Sequence, residues 1–199
     1  MKRYSVLAIC AASFLAACAM PATQPLVGAD GRPLPHVYKI DRRTEAEIPY
    51  RLLESVNTLR AARGTQPLQM NAPLNAAALA HSQDMSRQNR PWHFGSDGSS
   101  PLLRAQRAGY TGHFNGELIS ETYESELETL SAWSQQPDTR AILMDPQSNE
   151  LGFAWYQEPS GKIWWTLLTG DGTRAPAARV SAIALGQTVT SEMDRAPAQ

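Results

Sequence analysis

Cysteine is nearly absent. The 199 residues contain two, Cys10 and Cys18, both before Ala19. From Ala19 onward a disulfide, a thiol nucleophile and a cysteine zinc site are therefore excluded. Long apolar runs are absent too. The run at 6–15 falls short of the roughly 20 residues that a membrane-spanning helix needs. There is no excess of positive charge: 18 Lys and Arg stand against 19 Asp and Glu, a formal net charge of -1. That balance argues against a phosphate-neutralising face for nucleic acid and against electrostatic adhesion to acidic lipid. Also missing are a G-x-S-x-G elbow, an H-E-x-x-H helix, a G-x-x-x-x-G-K-[ST] phosphate loop and a G-x-G-x-x-G turn. The common hydrolase, zinc-protease and nucleotide signatures thus have no foothold.

What is present suits a globular core: 42% hydrophobic residues, 19% charged residues and five tryptophans. Lys2-Arg3, the apolar run and a small-residue end have the form of a secretory signal peptide. Its end, Leu15-Ala16-Ala17-Cys18, resembles a lipobox. That resemblance implies a diacylglycerol on the Cys18 sulfur, cleavage before Cys18, and a further acyl chain such as palmitate on the new amine. Two or more chains hold a protein stably where one is marginal. The alternative is an ordinary signal peptide cut at Ala17 or after Ala19. Loss of Lys2 and Arg3 would bring the mature charge from -1 to -3. Ala19, where an Asp would favour inner-membrane retention, points to an outer membrane facing the periplasm. The expected organisation is a signal peptide at 1–17, a Pro-rich tether at 18–45, one domain at 46–170, and a partly disordered extension at 171–199.

Within the domain, Ile48, Leu52, Val56 and Leu59 recur at helical spacing, with Arg60 and Arg63 read on the opposite face. Asn71 and Pro73 open a second helix carrying Leu74, Ala78, His81 and Met85. Ser100-Pro101 opens a short third helix that Gly109 closes. Residues 118–123 alternate weakly, as a strand would. A fourth helix spans 125–135, with Leu127, Leu130 and Trp133 inward, and one further turn follows Pro137. Strands at 151–157 and 162–169 flank Glu158-Pro159-Ser160-Gly161, a hairpin turn. Helices early and strands late predict an α+β domain.

The polar residues left for chemistry are His81, His93, Asp97, His113, Glu117 and Thr139. His81 shares a stripe with Leu74 and Met85 and reads as a core histidine. Asp97 and Ser99 read as loop-shaping residues ahead of Ser100. His113 lies in a turn, 110–116. Read in order, the body resembles the CAP superfamily, the cysteine-rich secretory, antigen five and pathogenesis-related proteins. The matching pieces are Leu53-Glu54-Ser55-Val56-Asn57-Thr58-Leu59-Arg60, Ala80-His81-Ser82-Gln83-Asp84-Met85, and His93-Phe94-Gly95-Ser96-Asp97-Gly98-Ser99-Ser100-Pro101. Arg107-Ala108-Gly109-Tyr110, Gly116-Glu117, Trp133 and Leu151-Gly152-Phe153-Ala154 follow.

The resemblance implies an α-β-α sandwich around a central antiparallel sheet, and a cleft in which two histidines and two acids can hold a divalent metal. His93 matches the first histidine and Glu117 the glutamate after glycine. In Gln135-Gln136-Pro137-Asp138-Thr139-Arg140, Thr139 stands where the second histidine belongs, and the second acid has no counterpart. His93 and Glu117 supply two ligands where catalytic zinc takes three, and a threonine hydroxyl is a poor one. The expectation is therefore no cofactor, or weak divalent-metal binding at most unless His113 or Asp97 completes the set. Three functions are in contention. The first is a non-catalytic, membrane-anchored binding module for an envelope lipid, glycan or protein. The second is a hydrolase using a His93/Glu117 dyad. The third is a structural envelope protein.

Overall fold

The computed structural model describes residues 37–176. Cys18, the leader, most of the tether, His36 and the chain from 177 onward lie outside the described residues. Helix α1 (Ile48–Ala61) has Pro49 in its first turn. Its stripe steps by four, through Ile48, Leu52 and Val56, and the next step is Arg60 rather than Leu59. The sequence placed Arg60 on the outer face; it is fully buried, while Leu59 is 38% exposed. The guanidinium donates to the Gln66, Leu143, Asp145 and Ser148 carbonyls, which makes its burial tolerable.

After the two-residue strand β1 (Gln69–Met70), helix α2 (Ala72–Gln88) starts at Asn71, whose side chain accepts the Leu74 N–H. It ends at Asn89 in the left-handed region, φ 48°. Ser100 caps α3 (Pro101–Arg107) in the same way. Strand β2 (His113–Thr122) begins five residues earlier than its alternation suggests, so His113 sits on a strand and not in a turn. A reciprocal Ser125–Glu128 capping box opens α4 (Glu126–Gln135). Leu130 and Trp133 face inward there, but Leu127 is 44% exposed, because the helix presents a narrower stripe than expected. Pro137 opens α5 (Pro137–Leu143). Strands β3 (Glu150–Gln157) and β4 (Ile163–Asp171) form the hairpin, with Gly161 at φ +92° in its turn.

The sheet runs β1-β3-β4-β2. The three long strands pair antiparallel, and β1 adds to the β3 edge in parallel. The sheet is thus mixed, because the chain enters α2 directly from β1 and crosses back. Strand alternation sorts the two faces. Leu118, Phe153, Trp165 and Leu167 join α1, α4 and α5 in one core, where Phe153 and Trp165 stack at 5.3 Å. Ala154 and Leu168 join α2, α3 and Tyr110 in the other. At Gly152 the α2 backbone lies against β3 so closely that an added Cβ would stand 2.2 Å from the Leu74 carbonyl carbon. The last residues of the expected tether are docked: Tyr38 N–H donates to the Tyr123 carbonyl, and the Gln157 amide bonds both Tyr38 and Ile40.

Candidate functional site

On the α2–α3 face of β2, Glu117 points away from the Leu118 core and is 5% exposed. Its Oε1 accepts from His93 Nδ1 at 2.8 Å, and its Oε2 accepts from Arg104 of α3 at 2.5 Å. Arg104 also donates to the His93 and Ser99 carbonyls, both at 2.9 Å. One buried guanidinium therefore binds the carboxylate and both ends of the loop that carries His93. Because Glu117 accepts at Nδ1, the imidazole is the Nδ1–H tautomer when neutral, and Nε2 keeps its lone pair. The His93 side chain is 53% exposed, so it stands on a buried pedestal with its ring in solvent.

His81 lies behind this pair. It is fully buried, and its Nε2 is 3.0 Å from the Trp92 carbonyl, which requires an Nε2–H donor. Its Nε2 is 3.7 Å from Glu117 Oε1, too far for a hydrogen bond. Burial, the largest effect, holds its pKa below the usual histidine value, against the pull of Glu117. His81 is thus a neutral spacer, and its Nδ1 has no hydrogen-bond partner.

The other sequence candidates stand apart. Asp97 accepts from the Ser99 N–H at 2.9 Å and from Arg107 at 2.5 Å, contacts that hold its carboxyl well below the usual range. It shapes the loop, as read from the sequence. His113 is four positions up β2 from Glu117, roughly 13 Å at strand rise. The Thr139 hydroxyl donates to the Trp133 carbonyl rather than to His93 or Glu117. Among the described residues no group of three or more His, Cys, Asp or Glu is placed to hold a metal ion. Sequence reasoning missed Arg104, whose only signal is its place on the inner side of the helix that follows the histidine loop.

Beside His93 the loop presents a ledge. Arg90 lies 3.8 Å over the Trp92 ring, and Trp92 packs against Phe94 with centroids 5.6 Å apart. Phe94 is 48% exposed. The Trp92 indole donates to Gln88 of α2, which fixes the strip on a helix. Between α2 and α3, a cavity of about 450 Å³ is lined by Ala76, Ala77, Ala80, Arg87, Arg104 and Arg107, with Asp84 and Asp97.

This fold defines a class. The chain belongs to the CAP family, described as the cysteine-rich secretory protein family, whose model matches residues 53–168. A Bacillus subtilis (strain 168) protein, uncharacterized protein YkwD, is 28% identical over 114 residues, 57% of this chain and 44% of that protein. The chain thus spans less than half of that relative's length. Among solved structures, an extracellular protein containing an SCP domain from Bacillus anthracis str. Ames matches with TM-score 0.59 and 18% identity, over 67% of this chain and 45% of the other. An outer surface protein from Borrelia burgdorferi matches with TM-score 0.57 and 18% identity, over 69% of this chain and 98% of the other. The likeness to these two shows a shared fold.

Proposed function

We propose that the protein is a lipid-anchored binding module of the bacterial cell envelope, and that it recognises an envelope glycan on the ledge of Arg90, Trp92, His93 and Phe94. The observation that carries this reading is the pedestal: a half-exposed imidazole held by a Glu117–Arg104 pair that is itself buried. A ring fixed in one tautomer beside the exposed Phe94 ring is preorganised to bind a sugar, which offers apolar ring faces and hydroxyls. The names of two neighbours in fold, an outer surface protein and an extracellular protein, support an address outside the cytoplasm. The lipobox-like Cys18 supports an anchor. Calorimetric titration of the mature protein with soluble cell-wall glycan fragments should show saturable binding, weakened about tenfold or more by Phe94→Ala. Absence of binding to any fragment would sink the reading.

The module needs no metal on this reading. Both Glu117 oxygens already accept hydrogen bonds, one of them from a guanidinium. A second cation there would face Arg104 at short range, and the Thr139 hydroxyl is bonded elsewhere. The residues present do not fit a zinc ion.

One observation favours a second reading, as a hydrolase. With Nδ1–H tied to Glu117, His93 Nε2 is available to take a proton from water. Among the described residues no hydroxyl is hydrogen-bonded to that nitrogen, so the nucleophile in such a reaction would be water. A screen on peptides, glycosides and esters decides between them. Turnover abolished by His93→Ala with the fold intact would establish the enzyme.

A further inference from the structure

We propose that Asp84 and Gln88 of α2 are positioning residues of the ledge: they fix Trp92 as a backing plate, so that Arg90, His93 and Phe94 meet the ligand. This rests on the envelope-glycan reading and adds to it which groups the sugar touches. His81, Asp84 and Gln88 follow one another on α2 at steps of three and four residues, the spacing of neighbours along one helix face. All three reach the loop that follows the helix. His81 Nε2 is 3.0 Å from the Trp92 carbonyl. Gln88 Oε1 accepts the Trp92 indole N–H at 2.9 Å. Asp84 accepts the Ser96 N–H and the Ser96 hydroxyl, both at 2.7 Å. One helix face thus holds the segment on both sides of His93 and Phe94.

Asp84 gives the relay its direction. An ionised carboxylate only accepts hydrogen bonds, whereas a glutamine amide donates from one end and accepts at the other. Gln88 Nε2 donates to Asp84 Oδ2 at 2.8 Å, and that contact decides which end of the amide faces the indole. Turned the other way, the amide would set its NH2 against the Trp92 N–H, donor against donor. Asp84 is itself held, because it is buried and also accepts from Ser96 and Arg87. An indole has one donor and no acceptor, so with its N–H taken by Gln88, Trp92 keeps no hydrogen bond to give a ligand. Its ring carries other groups instead. Arg90 lies 3.8 Å over it, and Phe94 packs against it at 5.6 Å. Arg90 and Phe94 are both exposed. The ledge therefore meets a sugar with the Phe94 ring, the Arg90 guanidinium and the His93 imidazole, on a support ordered before the ligand arrives. Such prior ordering lowers the entropy lost on binding.

Two readouts on the full chain in detergent test this. Calorimetric titration with the uncharged trisaccharide of N-acetylglucosamine reads affinity. The indole N–H resonance of Trp92, identified by its loss in Trp92→Phe, reads the relay without ligand. Gln88→Leu keeps most of the side-chain bulk and removes the bond to the indole. It should shift that resonance, keep the melting temperature near wild type and weaken the trisaccharide about fivefold, the worth of one hydrogen bond. Gln88→Glu sets acceptor against acceptor beside Asp84 and should also release Trp92 and weaken binding. Adding Asp84→Asn to it restores a donor, because the new amide can turn its NH2 toward the new carboxylate, and should recover both resonance and affinity. Residues that serve only to hold the fold would give additive losses in that pair. Additive losses, or Gln88→Leu binding as tightly as wild type, would overturn the proposal. Wild-type protein that binds no trisaccharide would remove the glycan reading, and the relay would then stand or fall on recovery of the Trp92 resonance in the double variant.

Discussion

Glu117 faces a cation on one oxygen and an imidazole on the other, from a position where water does not reach. Glu117→Gln would leave Arg104 charged, buried and without its counter-ion. Such a loss is strongly destabilising, by about 3–5 kcal/mol. His93→Ala, at a half-exposed ring, should change stability by less than about 1 kcal/mol. Urea denaturation of the two variants checks the contrast, and equal effects would show that the pair is not the pedestal described. His81 makes a second prediction at this scale. Burial lowers its folded pKa below the unfolded value of about 6.5, so below that pH the unfolded chain binds more protons than the folded one. Its contribution is present above about pH 6.5 and is lost as pH falls toward the folded pKa. The urea midpoint should fall between about pH 7 and about pH 5, and His81→Gln should flatten that slope. The lowered carboxyl groups of Asp84 and Glu158 act in a separate window, losing their contribution only at acid pH.

Helix α2 controls the site at the level of elements, since it carries His81 and the Gln88 that holds Trp92. Its distance from the sheet is set by Gly152, where no side chain separates the two backbones. Gly152→Ala should push α2 outward and destabilise the domain by about 1–3 kcal/mol or more. Thermal unfolding checks the loss, and a shift of the Trp92 emission reports the displaced ledge; an unchanged melting temperature would show that the contact relaxes freely. The element level also shows where the sequence was legible. Asn71 and Ser100 cap their helices as their residue types and spacings predict. Arg60 and Leu59 were misread because a stripe that steps by four places an arginine inward. Only the carbonyls of the 143–148 turn, distant in the chain, make that possible.

For the whole molecule, the proposed anchor bears on the proposed binding: acyl chains on Cys18 would keep the His93 face at a membrane surface. Cys18→Ser should move the protein from the detergent phase to the aqueous phase, and a variant that stays with the membrane would end the lipoprotein reading. The family, the two helical layers and the pair His93 and Glu117 could be read from the chain alone. They rest on local signals: caps, turn residues, alternation, and a run of motifs in order. What needed the tertiary structure was the company those residues keep. Arg104 beneath Glu117, His81 neutral behind it, Thr139 hydrogen-bonded elsewhere, and the arginine-walled cavity all arise from contacts between elements. Burial and charge partners are properties of packing, and no local pattern encodes which distant group will stand opposite.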